Sequence, residues 1–164
     1  MKKYEFTGET KRVELWNRTA TLHRIKATVE FGFVKVGELG GWIEKEENLS
    51  HEGKAWVWGN AEVCGDAEVW GNAKVWGNAK VCGDAKVFLA SHVLVMGSVG
   101  SRNDFTTFFR DKDNEITVKC GCFLGKIDKF LEKVTQTHGN NKYALVYRAA
   151  VEVAKLQIEL TERK

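Results

Sequence analysis

The sequence predicts a mainly β fold with α structure at its end. The expected parts are a short parallel β-coil of three hexapeptides per turn, a small N-terminal β cap and a C-terminal helical hairpin. Three observations carry this expectation. Residues 53–100 repeat with a period of six, the glycines fall on that period, and two apolar stripes of helical spacing close the chain. The expected organisation is 1–52 as the β cap, 53–105 as the repeat, and 106–164 as a β-hairpin followed by two helices.

Within 1–52, the segments YEF, TLHRIKATVEF and FVKV alternate like strands, and Gly37, Gly40 and Gly41 mark turns. Ile43 and Leu49 are six apart and read as a degenerate first coil. A cap is needed because so short a stack exposes unpaired strand edges at both ends.

From Gly53 the chain runs GKAWVW, GNAEVC, GDAEVW, GNAKVW, GNAKVC, GDAKVF, then degrades to LASHVL and VMGSVG. Eight valines hold the register, from Val57 to Val99, and two residues before each stands Ala, Ser or Gly. A helix cannot use this pattern, since a glycine every six residues would cost about 1 kcal/mol each. A strand can, because residues two apart share a face and Gly-Asn or Gly-Asp turns the chain. At an offset of eighteen, Cys64 recurs as Cys82, Trp58 as Trp76 and Asp66 as Asp84, while Glu62 meets Lys80 and Glu68 meets Lys86. Two hexapeptides per coil would also pair charges, but would stack Cys64 on Trp76.

The block Gly53–Val99 resembles the hexapeptide-repeat family. Its inward aliphatic residue matches the valine series, its small inward residue the alanine series, and its corner pair Gly59-Asn60 through Gly83-Asp84. The resemblance implies a left-handed parallel β-helix of triangular cross-section; the period alone does not give the hand. It also implies a homotrimer. The longer string ELGGWIEKEENLSHEGKAWVWGNAEV is similar to a class of phage and prophage accessory proteins.

After Gly100 the register fails. FTTFFRDKDNEITVKC, residues 105–120, reads as a hairpin with Asp111–Asn114 as its turn. A helix is expected over Gly125–His138, with Ile127, Phe130, Leu131 and Val134 on one face and Gly139 as its stop. A second is expected over Lys142–Glu162. Its apolar surface (Tyr143, Tyr147, Ala150, Ala154 and Ile158, with Val146, Val153, Leu156 and Leu160 beside them) is wide enough to call for burial on both sides.

Composition narrows the function. The net charge of +3, all of it in residues 106–164, is too small to point to nucleic acid. No apolar run approaches the ~20 residues of a membrane span. The start MKKYEFTGET has no apolar stretch behind its lysines, so no signal peptide is expected. Four cysteines in 164 residues do not make a disulfide scaffold, and a cytoplasmic protein with reduced thiols is the expectation.

The candidate binding residues are aromatic. Trp58, Trp70, Trp76 and Phe88 each follow an inward valine, and Trp56 precedes one, so all five are expected to point outward. A monomer rarely exposes so large an apolar patch. The rings are therefore covered by the cap or helices, form a subunit contact, or make a ligand-stacking platform. Cys64 and Cys82 should lie one strand spacing apart, within disulfide reach, as packed thiols. Cys120-Gly-Cys122 lacks the usual zinc spacing even if His138 folds back, and no metal or other cofactor is expected. Asp66 and Asp84 stack like charges at one corner, which calls for solvation or a bridge.

Enzymatic readings depend on histidine. Acyltransferases of the hexapeptide family use a histidine base, and His92, expected to project outward, is the candidate. The family's loop excursion and additional coils are missing between Gly53 and Gly100, and the four histidines are too dispersed for a three-histidine zinc site. The expectation is a non-enzymatic, phage-type, homotrimeric binding protein that inhibits or sequesters a component of host defence in the host cytoplasm. Its partner would be a host protein or a small anionic signal. The alternatives are an acyltransferase-like enzyme acting through His92 and a virion structural or assembly protein.

Overall fold

The computed structural model describes residues 2–15 and 17–160. The chain opens with a long antiparallel hairpin, β1 (Tyr4–Glu14) and β2 (Thr19–Ala27), to which β3 (Leu39–Ile43) adds antiparallel. Six two-residue strands follow: β4 (Trp56–Val57), β5 (Glu62–Val63), β6 (Glu68–Val69), β7 (Lys74–Val75), β8 (Lys80–Val81) and β9 (Lys86–Val87). An antiparallel meander comes next, β10 (Val93–Val99), β11 (Asp104–Arg110), β12 (Ile116–Cys120) and β13 (Phe123–Lys126). Two helices close the fold, α1 (Ile127–His138) and α2 (Lys142–Gln157).

These strands form four sheets. One is mixed and ordered β1-β2-β3-β5-β8; two are parallel pairs, β4-β7 and β6-β9; the fourth is the meander. The left-handed parallel β-helix expected from the repeat is therefore not the architecture of the chain. Its sheets are several, short and partly antiparallel, combined with two helices. Parallel pairing is confined to short ladders, with Val57 opposite Val75, Val63 opposite Val81 and Val69 opposite Val87.

The physical reason lies at the corners. Gly53 to Gly83, at every sixth position, all have positive φ, the region that L side chains rarely adopt. At Gly71 an added Cβ would also stand 2.9 Å from the Phe88 carbonyl oxygen. The next two corner positions are Leu89 and Val95, which carry no glycine. Leu89 has φ −127°, a 3-10 turn covers Ala90–His92, and the chain then runs straight on as β10. LASHVL and VMGSVG thus leave the parallel register: Val93 pairs antiparallel with Phe109, and Val99 with Asp104.

The main core is the series Ala55 to Ala85 and Val57 to Val87, all but sealed from solvent, joined by Tyr4, Ile25, Ile43, Leu49 and Phe109. The strand edges of two of the three parallel ladders are occupied at both ends. On one side β3 pairs with β5, and Leu49 bridges to Val69. On the other, the Lys80 amide donates to Thr107 Oγ1, the Arg110 guanidinium to the Lys86 carbonyl, and Ala85 bridges to Asp111. Asp111 also orders the β11–β12 turn, accepting from the Asp113 and Glu115 amides, the Thr117 hydroxyl and the Lys126 ammonium.

A second core packs the meander against the helices through Phe108, Val118, Phe130, Val134, Tyr147 and Val151. Asn141 caps α2 by accepting from the Ala144 amide. The second helix is shorter than the sequence predicts: it ends at Gln157, and the expected positions 161 and 162 lie outside the described residues. Its apolar surface is buried on one side only. Ala144, Tyr147, Ala150, Val151 and Ala154 are inside, whereas Leu145, Val153 and Leu156 face out, Leu156 at 89% exposure. Among the described residues no helix is long and apolar enough to cross a membrane.

Candidate functional site: an aromatic face

A residue that follows an inward valine points away from the core. Parallel pairing at eighteen residues then places like residues side by side. Trp58 lies 5.4 Å from Trp76, tilted by 43°, and Trp70 stacks on Phe88 at 5.0 Å. The two pairs have different surroundings. Phe88 is half-buried, with the Arg110 guanidinium 5.1 Å from its ring and the His92 edge at 4.5 Å. Trp58 is half-buried against the main core, and Trp76 is open at 54% exposure.

Residues between β2 and β3 extend this open surface. Phe33 is 86% exposed, and Val36 and the first residue of β3, Leu39, are also exposed. The Lys74 ammonium sits 5.7 Å from the ring centres of both Phe33 and Trp76. Phe33, Lys74, Trp76 and Trp58 therefore form one face, with a single cation between two rings. Phe33 did not stand out in the sequence, because FVKV reads as a strand with alternating sides. The structure gives instead a turn, closed by the Phe31–Val34 bridge, that leaves Phe33 outside and Val34 inside.

Two expected site residues are corrected. Trp56 does not point outward; it is fully buried. Phe31 and Tyr4 cover it at 5.3 and 6.2 Å, edge to face. Gly40 lets β3 approach it, since a Cβ there would stand 2.7 Å from Trp56 Cζ2. The Gly40-Gly41 doublet was the available signal: it marks a close approach as well as a turn.

His92 does not project outward either. It is fully buried, and its Nδ1 accepts hydrogen bonds from the Phe88 and Leu89 amides at 3.2 Å each. Burial, and then the Arg110 charge, hold its pKa below the usual histidine value, so it is a neutral brace for the 3-10 turn. The acyltransferase alternative thus loses the accessible base it named.

The aspartate corners have separate partners. Asp66 meets Lys45 at 3.2 Å and Asp84 meets Lys112 at 3.4 Å. Both aspartates are exposed, so these ion pairs contribute little stability. Cys120, Cys122 and His138 line one cavity, but no group of three potential ligands among the described residues could hold a metal ion. Cys64 and Cys82 lie at the floor of a different cavity, with their sulfurs 2.7 Å apart. No protein-family model matches the chain, and no curated protein matches it.

Proposed function

We propose that the chain is a non-enzymatic binding protein whose contact surface is the face of Phe33, Lys74 and Trp76, backed by Trp58. The exposure of two large rings on either side of one ammonium carries this reading. Aromatic rings are enriched at protein contacts because they bury much area for little lost rotamer freedom. The complementary partner is a protein that offers an apolar pocket to Trp76 and a carboxylate to Lys74. The likeness of ELGGWIEKEENLSHEGKAWVWGNAEV to phage and prophage accessory proteins supports the class of partner. That class is a component of bacterial host defence, bound and held inactive in the host cytoplasm.

The test is capture from bacterial lysate by the wild type and by a Phe33→Ala, Trp76→Ala variant. Both side chains are largely solvent-exposed, so the variant should keep the wild-type unfolding midpoint. The reading expects it to lose the bacterial protein that the wild type retains. Equal capture by a folded double variant overturns it.

Self-association belongs to the same proposal but to another surface. The outer stripe of α2 (Leu145, Val153 and Leu156) is apolar and faces solvent. Val153→Glu with Leu156→Glu is expected to lower the mass measured by light scattering. An unchanged mass removes this stripe as the contact between copies.

A further inference from the structure

Three parallel valine pairs are each followed by a side-by-side pair; two of these are aromatic and the third is a pair of thiols. Val63 pairs with Val81 in parallel register, so Cys64 and Cys82 come next to each other on adjacent strands, and the Cys64 amide donates to the Val81 carbonyl. Neighbouring strands lie within the Cα separation that a disulfide needs. The Cys64 thiol donates a hydrogen bond to Cys82 Sγ. Ala20, Leu22 and Leu124 shield the pair on its apolar side.

On the other side the buried thiols border a cavity of about 200 Å³, which Arg18, Asp66, Asp84, Lys119 and Cys122 also line. A hydrogen bond from Cys64, helped by the Lys119 charge, makes Cys82 the more acidic thiol, while Cys64 is pushed up by the same bond and by burial. One thiol is thus prepared as nucleophile and its neighbour stands in place to resolve the product.

We propose that Cys64 and Cys82 form a thiol–disulfide exchange site for small disulfides. The Cys82 thiolate attacks one sulfur of the disulfide, forming a mixed disulfide and releasing the first thiolate. Cys64, giving up its proton, attacks Cys82 Sγ. This forms the Cys64–Cys82 bond and releases the second thiolate. The protein pair loses two electrons and two protons, and the small disulfide is reduced to two thiols. Lys119 at the rim favours the Cys82 thiolate.

The experiment uses the full chain and oxidised glutathione as the probe. The wild type is expected to become two hydrogens lighter, with tryptic peptide 55–74 cross-linked to 81–86. In Cys64→Ser, the glutathione adduct should remain on Cys82. In Cys82→Ser, Cys64 should stay free. Lys119→Glu should slow the cross-link, and Cys122→Ser should leave it in place. The proposal is overturned if Cys64 and Cys82 remain alkylatable in folded wild type while Cys122 is fully modified. Cross-linking only after addition of denaturant also overturns it. Near-ultraviolet circular dichroism before oxidation checks that each variant is folded.

Discussion

Asn48 reaches across to Ala67: its amide nitrogen donates a 2.8 Å hydrogen bond to the Ala67 carbonyl. The same nitrogen donates to the Gly65 carbonyl at 3.1 Å, and Oδ1 accepts from the Glu44 and Lys45 amides. Both hydrogens and both lone pairs of a fully buried amide are used. Asn48 thus joins the 3-10 turn Glu46–Asn48 to the Gly65-Asp66 corner before β6.

Asn48→Ala is expected to destabilise the chain by about 2–4 kcal/mol, because it strands buried donors and acceptors at once. Asn48→Asp should rescue little, since a carboxylate cannot donate to the two carbonyls. The midpoint of urea unfolding measures both, and a loss below about 0.5 kcal/mol for the alanine variant would contradict the bracket role.

Lys3 gives a basic-side test. Its ammonium is buried, donates to the Ala55 carbonyl at 2.7 Å and lies over the Phe31 ring. Burial lowers its pKa from 10.5 to about 8. Between those values the unfolded chain holds one more proton than the folded chain, so stability rises with pH across that window. The rise from this group is up to about 3 kcal/mol. Tyr4, whose phenol is raised mainly by burial and then by Glu46 and Glu47, opposes it above pH 10. Subtracting the profile of Lys3→Met from that of the wild type isolates the lysine, and a flat difference would refute the assignment.

On the acid side, His51 and His92 act together. Their Nδ1 atoms accept from the Lys3 amide and from the Phe88 and Leu89 amides, which requires neutral rings. Burial is the main cause that lowers both pKa values from 6.5. The unfolded chain therefore binds more protons below pH 6.5, and stability falls as pH drops from there. His92→Gln should flatten part of that slope in pH-dependent thermal unfolding. An unchanged slope would mean that His92 protonates freely in the folded chain.

The corner glycines separate strain from clash. Gly59 and Gly71 have φ of +58° and +64°. A Cβ at Gly59 would meet its nearest atom at 3.9 Å, and one at Gly71 would meet the Phe88 carbonyl at 2.9 Å. Gly59→Ala should cost about 1–2 kcal/mol of left-handed strain, and Gly71→Ala about 1–3 kcal/mol more. Equal unfolding midpoints for the two variants would refute the clash.

Sequence patterns disclosed what depends on near neighbours. The buried Ala/Val series up to Val87 follows from two-residue alternation between glycine corners, and Gly139 stops α1 where its spacing ends. What the sequence hid depends on distant partners. Trp56 is covered by Phe31, Tyr4 and the approach allowed by Gly40. His92 turns inward because Leu89 replaces a corner glycine, and the turn that results needs an acceptor. The valine spacing continues through Val93 and Val99, yet those residues join an antiparallel meander. Register in side chains persisted there after the backbone angle that sustained it was gone.

The glycines therefore act as a molecular ruler. Where Leu89 stands, the series of glycine turns stops and the chain runs on into β10. Lengthening the parallel ladders then calls for inserts ahead of that leucine that keep the eighteen-residue offset between paired strands and a glycine at every sixth position.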